Sequence, residues 1–448
     1  MKEKRNNKKT GITLVALVIT IVIMLILASV TIGAINWGLF EYAGKVKIST
    51  EESSKMEGIK ESFILAKSKS KTGKITVLDM QKSLDKIFGE NYAEAIDNSD
   101  TIVVKIDEKY YEVDSKGNVA EGRTLASDPN AGDITKGGTC TGTQANPYRI
   151  ECIEDLVKLS MLGNNNGTKN YKYYLLTKDL DFNSIFSYAN YRTKYSYDEE
   201  KKAYIPDDTS QTTIKELCTT GQGFIPISLT YGNDGSPAFH GIFYGKEQRE
   251  IKNIYINRSG VAALFGAGSN ATIKNITIDG TIISTSGSAA GFVGTGWGTT
   301  IQNCINKAKI VSKTSCAAGI RITGGTGKII NCINVGDVVS ESNCAAGICY
   351  VVIDIDKCRN SGTIKGKSGA FGIAYSRYGG DKGTIKNCIN TGTILCTGTG
   401  SVGGLTYSND ANNKIYNCYN VGTLKQENSA TPRIARYKWG WFNRSIYL

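Results

Sequence analysis

Two pairs of aspartates stand two residues apart in this chain: Asp179 with Asp181 in "KDLDF", and Asp354 with Asp356 in "DIDKC". On an extended strand that spacing puts both carboxylates on one face. Two carboxylates about 5–10 Å apart are what glycoside hydrolysis requires, one as acid and the other as base or nucleophile. Neither pair lies among other acids and aromatics, so solvated strand positions are the better explanation. Ser-His-Asp or Cys-His chemistry, and any His-bearing zinc site, would have to run through the single histidine, His240 in "AFHGIFYG". A turn residue is the plainer reading there. Thr281, Thr363, Thr393 and Thr423 recur like a ligand-binding threonine face, but Lys309 and Asp337 interrupt them, and threonine is a common exposed strand residue. No catalytic residue, cofactor site or metal ligand is assigned, and the chain reads as a non-enzyme.

The twelve cysteines carry a different message. Five recur inside one motif: "IQNCINKAKI" from Ile301, "IINCINVGDV" from Ile329, "IKNCINTGTI" from Ile385 and "IYNCYNVGTL" from Ile415, with "DIDKCRNSGTI" from Asp354 as a degenerate copy. Earlier copies, "IKNIYINRSG" and "IKNITIDGTI", carry Ile254 and Ile276 at the cysteine position. Successive markers lie 22, 28, 28, 26, 30 and 30 residues apart. Pieces such as "CAAGIRI", "CAAGICY" and "GAFGIAY" recur between them. Periods of this length with short β-runs and Gly or Asn corners describe one turn of a solenoid, which buries its apolar side chains only by stacking on the next. A leucine-rich repeat needs a leucine frame that is missing, and a propeller needs longer blades.

The fold expected is therefore mainly β, a β-helix, right-handed by analogy with related folds. Ile and Cys three apart break strict alternation and imply a corner at Asn303 and its equivalents. Cys304, Cys332, Cys358, Cys388 and Cys418 then point inward as small hydrophobes, one above another. Asn306, Asn334, Asn360, Asn390 and Asn420 form a second file whose amides satisfy each other and the corner backbone. The glycine two residues on (Gly336, Gly362, Gly392, Gly422) is expected to supply a backbone shape other residues resist. "NPYRIECIEDLVKLSMLGNN" reads as an N-terminal helical cap, and Trp439, Trp441 and Phe442 as a C-terminal aromatic cap. The tyrosine-rich run 187–213 reads as a solvent-facing insertion.

Ahead of the repeats, residues 12–35 are apolar and span roughly 36 Å as a helix, enough for a bilayer core of about 30 Å. Residues 1–11 carry a net charge of +4, from Lys2, Lys4, Arg5, Lys8 and Lys9 against Glu3. Positive charge on that flank places the first residues in the cytoplasm and the remainder outside. Of the formal +12 the rest is spread thinly, without the basic stripe and stacking aromatics that nucleic-acid binding needs. Residues 12–70 read as a transmembrane and extended helix, 71–125 as a small α+β unit with an Asp cap near the start of "VLDMQKSLDKIF", 126–145 as a linker, and 146–448 as the repeat domain.

The junction Lys8-Lys9-Thr10-Gly11-Ile12 resembles the leader of type IV prepilins and pseudopilins. The resemblance implies cleavage after Gly11 by a prepilin-type peptidase, N-methylation of Ile12, and a retained helix that anchors the protein or packs with pilin-like subunits. The family's assembly glutamate, four residues into the mature chain, is Ala16 here, which sets filament entry apart from cleavage. The run from "NPYRI" through "LTKDLDF", "GFIPI" and "FHGIFYG" into the Asn-Cys coils resembles bacterial surface proteins with GLUG-like β-helix repeats. Together these imply a single-pass membrane protein with its C-terminal region at the cell surface. It would serve in adhesion to a glycan or cell-surface ligand, with a ligand-free pilin-like component as the alternative and a carbohydrate-active enzyme third.

Overall fold

The computed structural model describes residues 39–70, 72–125, 131–164, 171–198, 203–229, 238–323, 325–376, 383–408 and 413–427. Gly11, Ile12, the apolar run 12–35 and the aromatics Trp439, Trp441 and Phe442 lie outside them. No helix among the described residues is long and apolar enough to cross a membrane. They fall into two compact units divided after Thr124.

In the first unit, helix α1 (Leu39–Lys69) is followed by α2 (Val77–Phe88) and an antiparallel sheet. The sheet order is β1 (Ala93–Asn98), β2 (Thr101–Ile106), β3 (Lys109–Val113) and β4 (Arg123–Thr124). A 50-residue α+β segment makes a thin core, and α1 thickens it: Ile59 and Phe63 are buried with Met80, Leu84, Val104 and Tyr111. The helices cross at Gly58, where a Cβ would sit 2.4 Å from the Phe88 ring. The cap of α2 is Thr76; Asp79 is its partner three residues on, completing a capping box.

The second unit is a β-solenoid, mainly β with few helices. Parallel pairing runs from Tyr148–Ile150 through Lys172–Leu176 and Gly241–Arg258 into the repeats, with register shifts after Tyr244 and Ile251. Each regular coil contributes three short stretches to one large sheet, turns, adds a two- or three-residue strand to a second sheet, bends at a glycine, and adds another strand to a third. Inward positions are apolar and continuous, from Ile150 and Phe182 at one end to Ile394 and Cys418 at the other. Helix α3 (Ile153–Asn164) buries Ile153, Leu156, Val157 and Leu159 in that core.

Two expectations change here. The stretch 131–145, expected as a linker, is folded against the cap: Ile134 is in the core, and Lys136 pairs with the buried Asp155 at 2.7 Å. The insertion expected to face solvent contributes core residues. Tyr188 and Tyr204 are buried, their hydroxyls donating to the carbonyls of Phe182 and Gly223. Tyrosine does this readily, because an apolar ring can enter a core while its hydroxyl finds a main-chain acceptor. The buried Glu154 accepts the N–H groups of Ala189 and Asn190 and ties the insertion to α3.

Candidate functional site

The repeat motif builds its ladders from the corner outward. Asn253, Asn275, Asn303, Asn331, Asn387 and Asn417 all adopt left-handed backbone, with φ between 51° and 59°. Asparagine tolerates that region far better than most residues. Their side chains link coil to coil: Asn303 donates to Asn275 at 3.0 Å and Asn331 to Asn303 at 2.9 Å. Lys357 holds the same left-handed corner in the degenerate coil, at φ 56°.

One residue beyond each corner, Cys304, Cys332, Cys358, Cys388 and Cys418 are fully buried. Their thiols donate to the carbonyl two residues back, at 3.1–3.4 Å. All twelve cysteines are buried free thiols. Burial drives the thiols of Cys332 and Cys358 well above their ordinary range; for Cys388 and Cys418 the thiol of the preceding coil is the main cause. A thiol held protonated is a poor nucleophile and a poor metal ligand. No cluster of three or more His, Cys, Asp or Glu among the described residues is placed to hold a metal ion.

The second file is continuous. Asn306 donates through Nδ2 to Oδ1 of Asn334 at 2.7 Å, Asn334 to Asn360 at 2.8 Å, Asn360 to Asn390 at 2.7 Å, and Asn390 to Asn420 at 2.7 Å. Each Nδ2 also reaches the carbonyl two residues on, as from Asn334 to Gly336 at 2.9 Å. The glycines beyond this file differ from expectation, because none has positive φ. Their requirement is closeness: a Cβ on Gly362 would lie 2.1 Å from the Gly336 carbonyl oxygen, and one on Gly392 2.1 Å from that of Gly362.

Three features escaped the sequence reading. Gly319, Gly347 and Gly372, in the "AAG"-like pieces, face the asparagine file across the coil; a Cβ on Gly319 would meet Asn334 Oδ1 at 2.4 Å. Tyr350, Tyr375 and Tyr407 stack on successive coils, with neighbouring ring centroids 5.0 and 5.9 Å apart. The shared final Tyr of "CAAGICY", "GAFGIAY" and "SVGGLTY" was the available signal. Arg321 is fully buried on a strand position held by Val293 and Cys349 in adjacent coils. Only its place in "CAAGIRI", against small or apolar residues in sister copies, could have marked it.

The two aspartate pairs turn out to be one device used twice. Asp179 accepts the N–H of Glu250 at 2.9 Å, and Asp354 that of Thr384 at 3.2 Å. Asp181 accepts the corner amide of Asn253 at 2.8 Å, and Asp356 that of Asn387 at 2.8 Å. In each pair the first carboxylate holds the backbone of the adjoining coil and the second holds its corner. Asp354 and Asp356 also line an open groove of about 230 Å³ with Lys328, Lys386 and Tyr416, and Lys386 lies 3.5 Å from Asp356. His240 is half-buried immediately before the strand Gly241–Arg258. The threonine positions lie in one register, Thr281 beside Lys309, with the charged members exposed.

No protein-family model and no curated protein matches the sequence. Among solved structures, the chain is similar to a candidate immunoglobulin A1 protease from Bacteroides ovatus, at 16% identity and a TM-score of 0.45, over 72% of this chain and 86% of that one. A likeness at that level carries no argument about activity. The class defined by the chain's own geometry is a β-solenoid with a uniform interior and a varied outer surface.

Proposed function

We propose that this is an envelope protein that holds its β-solenoid outside the membrane for attachment. The observation that carries the reading is the contrast between the inside and outside of the coils. Inward positions repeat cysteine, asparagine and isoleucine, while one outward register reads Thr281, Lys309, Asp337, Thr363, Thr393 and Thr423. A rigid body with long lateral faces suits contact accumulated over many weak points on a polymer or a neighbouring cell. The basic-Gly-apolar start supplies the means of display. A prepilin-type peptidase would cut after Gly11, Ile12 would begin the mature chain, and the apolar run would remain as the anchor or pack with pilin-like subunits. A glycan or cell-surface ligand is the partner expected.

Two measurements test this. Intact mass of protein extracted from native membranes should show loss of residues 1–11; a chain still carrying them removes the prepilin reading. Protease accessibility on intact cells should cut the repeat domain from outside. Protection in intact cells and digestion only after lysis would refute display. Surface exposure without binding to any glycan or cell would favour a structural component.

A further inference from the structure

Trp297 is 47% exposed, at the end of the strand Val293–Trp297 and just before the bend at Gly298 in "GTGWGTT". Its ring lies against Gly325 of the next coil, where a Cβ would come within 2.4 Å of it. Its strand partner on the preceding coil is Ser269, followed by Asn270. The residues that register and the adjoining turn place nearby, Ser269, Asn270 and Thr326, are small, polar and uncharged, and Thr326 holds the Gly298 N–H at 3.1 Å.

Arg321 lies in the adjoining coil. Its guanidinium donates to the carbonyls of Gly296, Thr299, Thr323 and Thr326, drawing together the segment that carries Trp297 and the segment of the next coil that its ring touches. Burying a guanidinium is costly, and burial lowers the affinity of Arg321 for its proton. Valine or cysteine serves the same interior position in the adjacent coils, so stacking alone does not require a cation there. What the arginine adds is a tie between the segment that carries the indole and the segment of the next coil.

We propose that Trp297 is the ring on which the displayed solenoid seats a sugar of a neutral, polyhydroxylated glycan. An aromatic face attracts the electropositive C–H face of a pyranose, and the flanking Ser269, Asn270 and Thr326 offer groups that match its hydroxyls. A protein-binding tryptophan would be expected inside a larger apolar patch, whereas the residues placed beside this one by register are polar. The proposal rests on the attachment reading and names the ligand class.

The test uses the full-length protein in detergent on an array of neutral and N-acetylated oligosaccharides. Wild type should bind at least one glycan. Trp297→Ala should weaken that binding about tenfold or more, while Trp297→Phe, which keeps an aromatic face, should retain part of it. Gly325→Ala should also weaken binding by shifting the ring without removing it. Binding unchanged in Trp297→Ala would overturn the site. Absence of all glycan binding would overturn the ligand class, as would cell binding that needs Trp297 yet survives removal of wall glycans. None of these outcomes depends on whether the chain reaches the surface, which protease accessibility reads separately.

Discussion

At the scale of single residues, the interior files divide the work between a thiol that fills space with weak bonds to nearby main chain and an amide that bonds from coil to coil. Asp in place of Cys388 would bury a carboxylate with no cationic partner among its described neighbours. The expected loss is roughly 3–5 kcal/mol, read as a lowered melting midpoint; an unchanged midpoint would mean the file faces solvent. The same thiols make stability pH-dependent. Cys332, Cys358, Cys388 and Cys418 have raised folded-state pKa values, so the unfolded chain releases their protons first as pH climbs. Their contribution is complete below the ordinary thiol range, about 8.5, and is lost progressively above it. Denaturant titrations between pH 7 and 10 should therefore show falling stability, with a shallower fall in a Cys358→Ala, Cys388→Ala variant. The repeated cysteine made an inward file readable because its sister positions were isoleucine. The reason for Arg321 was not readable, since it lies in four carbonyls on two glycine-rich segments that sequence cannot bring together.

At the scale of the coil, shape is set by where two backbones come close. Gly392→Ala would drive a methyl group to 2.1 Å from the Gly362 carbonyl oxygen, and neither backbone can yield without disturbing the asparagine file beside it. A loss of roughly 2–4 kcal/mol is expected, measurable by thermal or chemical melts. Gly137→Ala is the contrast: it has positive φ of 68° but open space around it, so it should lose less. Period and corner were legible because stacking demands the same residue at the same place in every turn. The function of the glycines was misread, because crowding and left-handed backbone leave the same letter in the sequence. The aspartate pairs were ambiguous for a related reason: only the register shows that Asp181 and Asp356 serve equivalent corners. The folded turns of 131–145 and the buried tyrosines of the insertion were hidden by polar composition, which reports solvent exposure only on average.

At the scale of the whole molecule, stability is a sum over coils and their interfaces, so complete coils should be removable. Deleting residues 359–388 joins Cys358 to Ile389 one full period on and leaves both files in register. That shortened protein should fold cooperatively, with a modest drop in midpoint by calorimetry. Deleting 359–373, about half a coil, should abolish the transition, because it shifts every later inward residue. The asparagine file adds something a sum of coils does not contain. Its four amide-to-amide bonds all run one way, from lower-numbered coil to higher, so the column has a sense, like an arrow. Its tail is closed inside the body, where the register partner of Asn306 is Ile278. Its head, among the described residues, is Asn420. Lengthening by the same bond can proceed only there, and only onto a chain that presents an amide or carboxylate oxygen facing the right way. Two such bodies could therefore never meet head to head through these columns, whereas a whole coil duplicated within the array would keep the sense of the column unbroken.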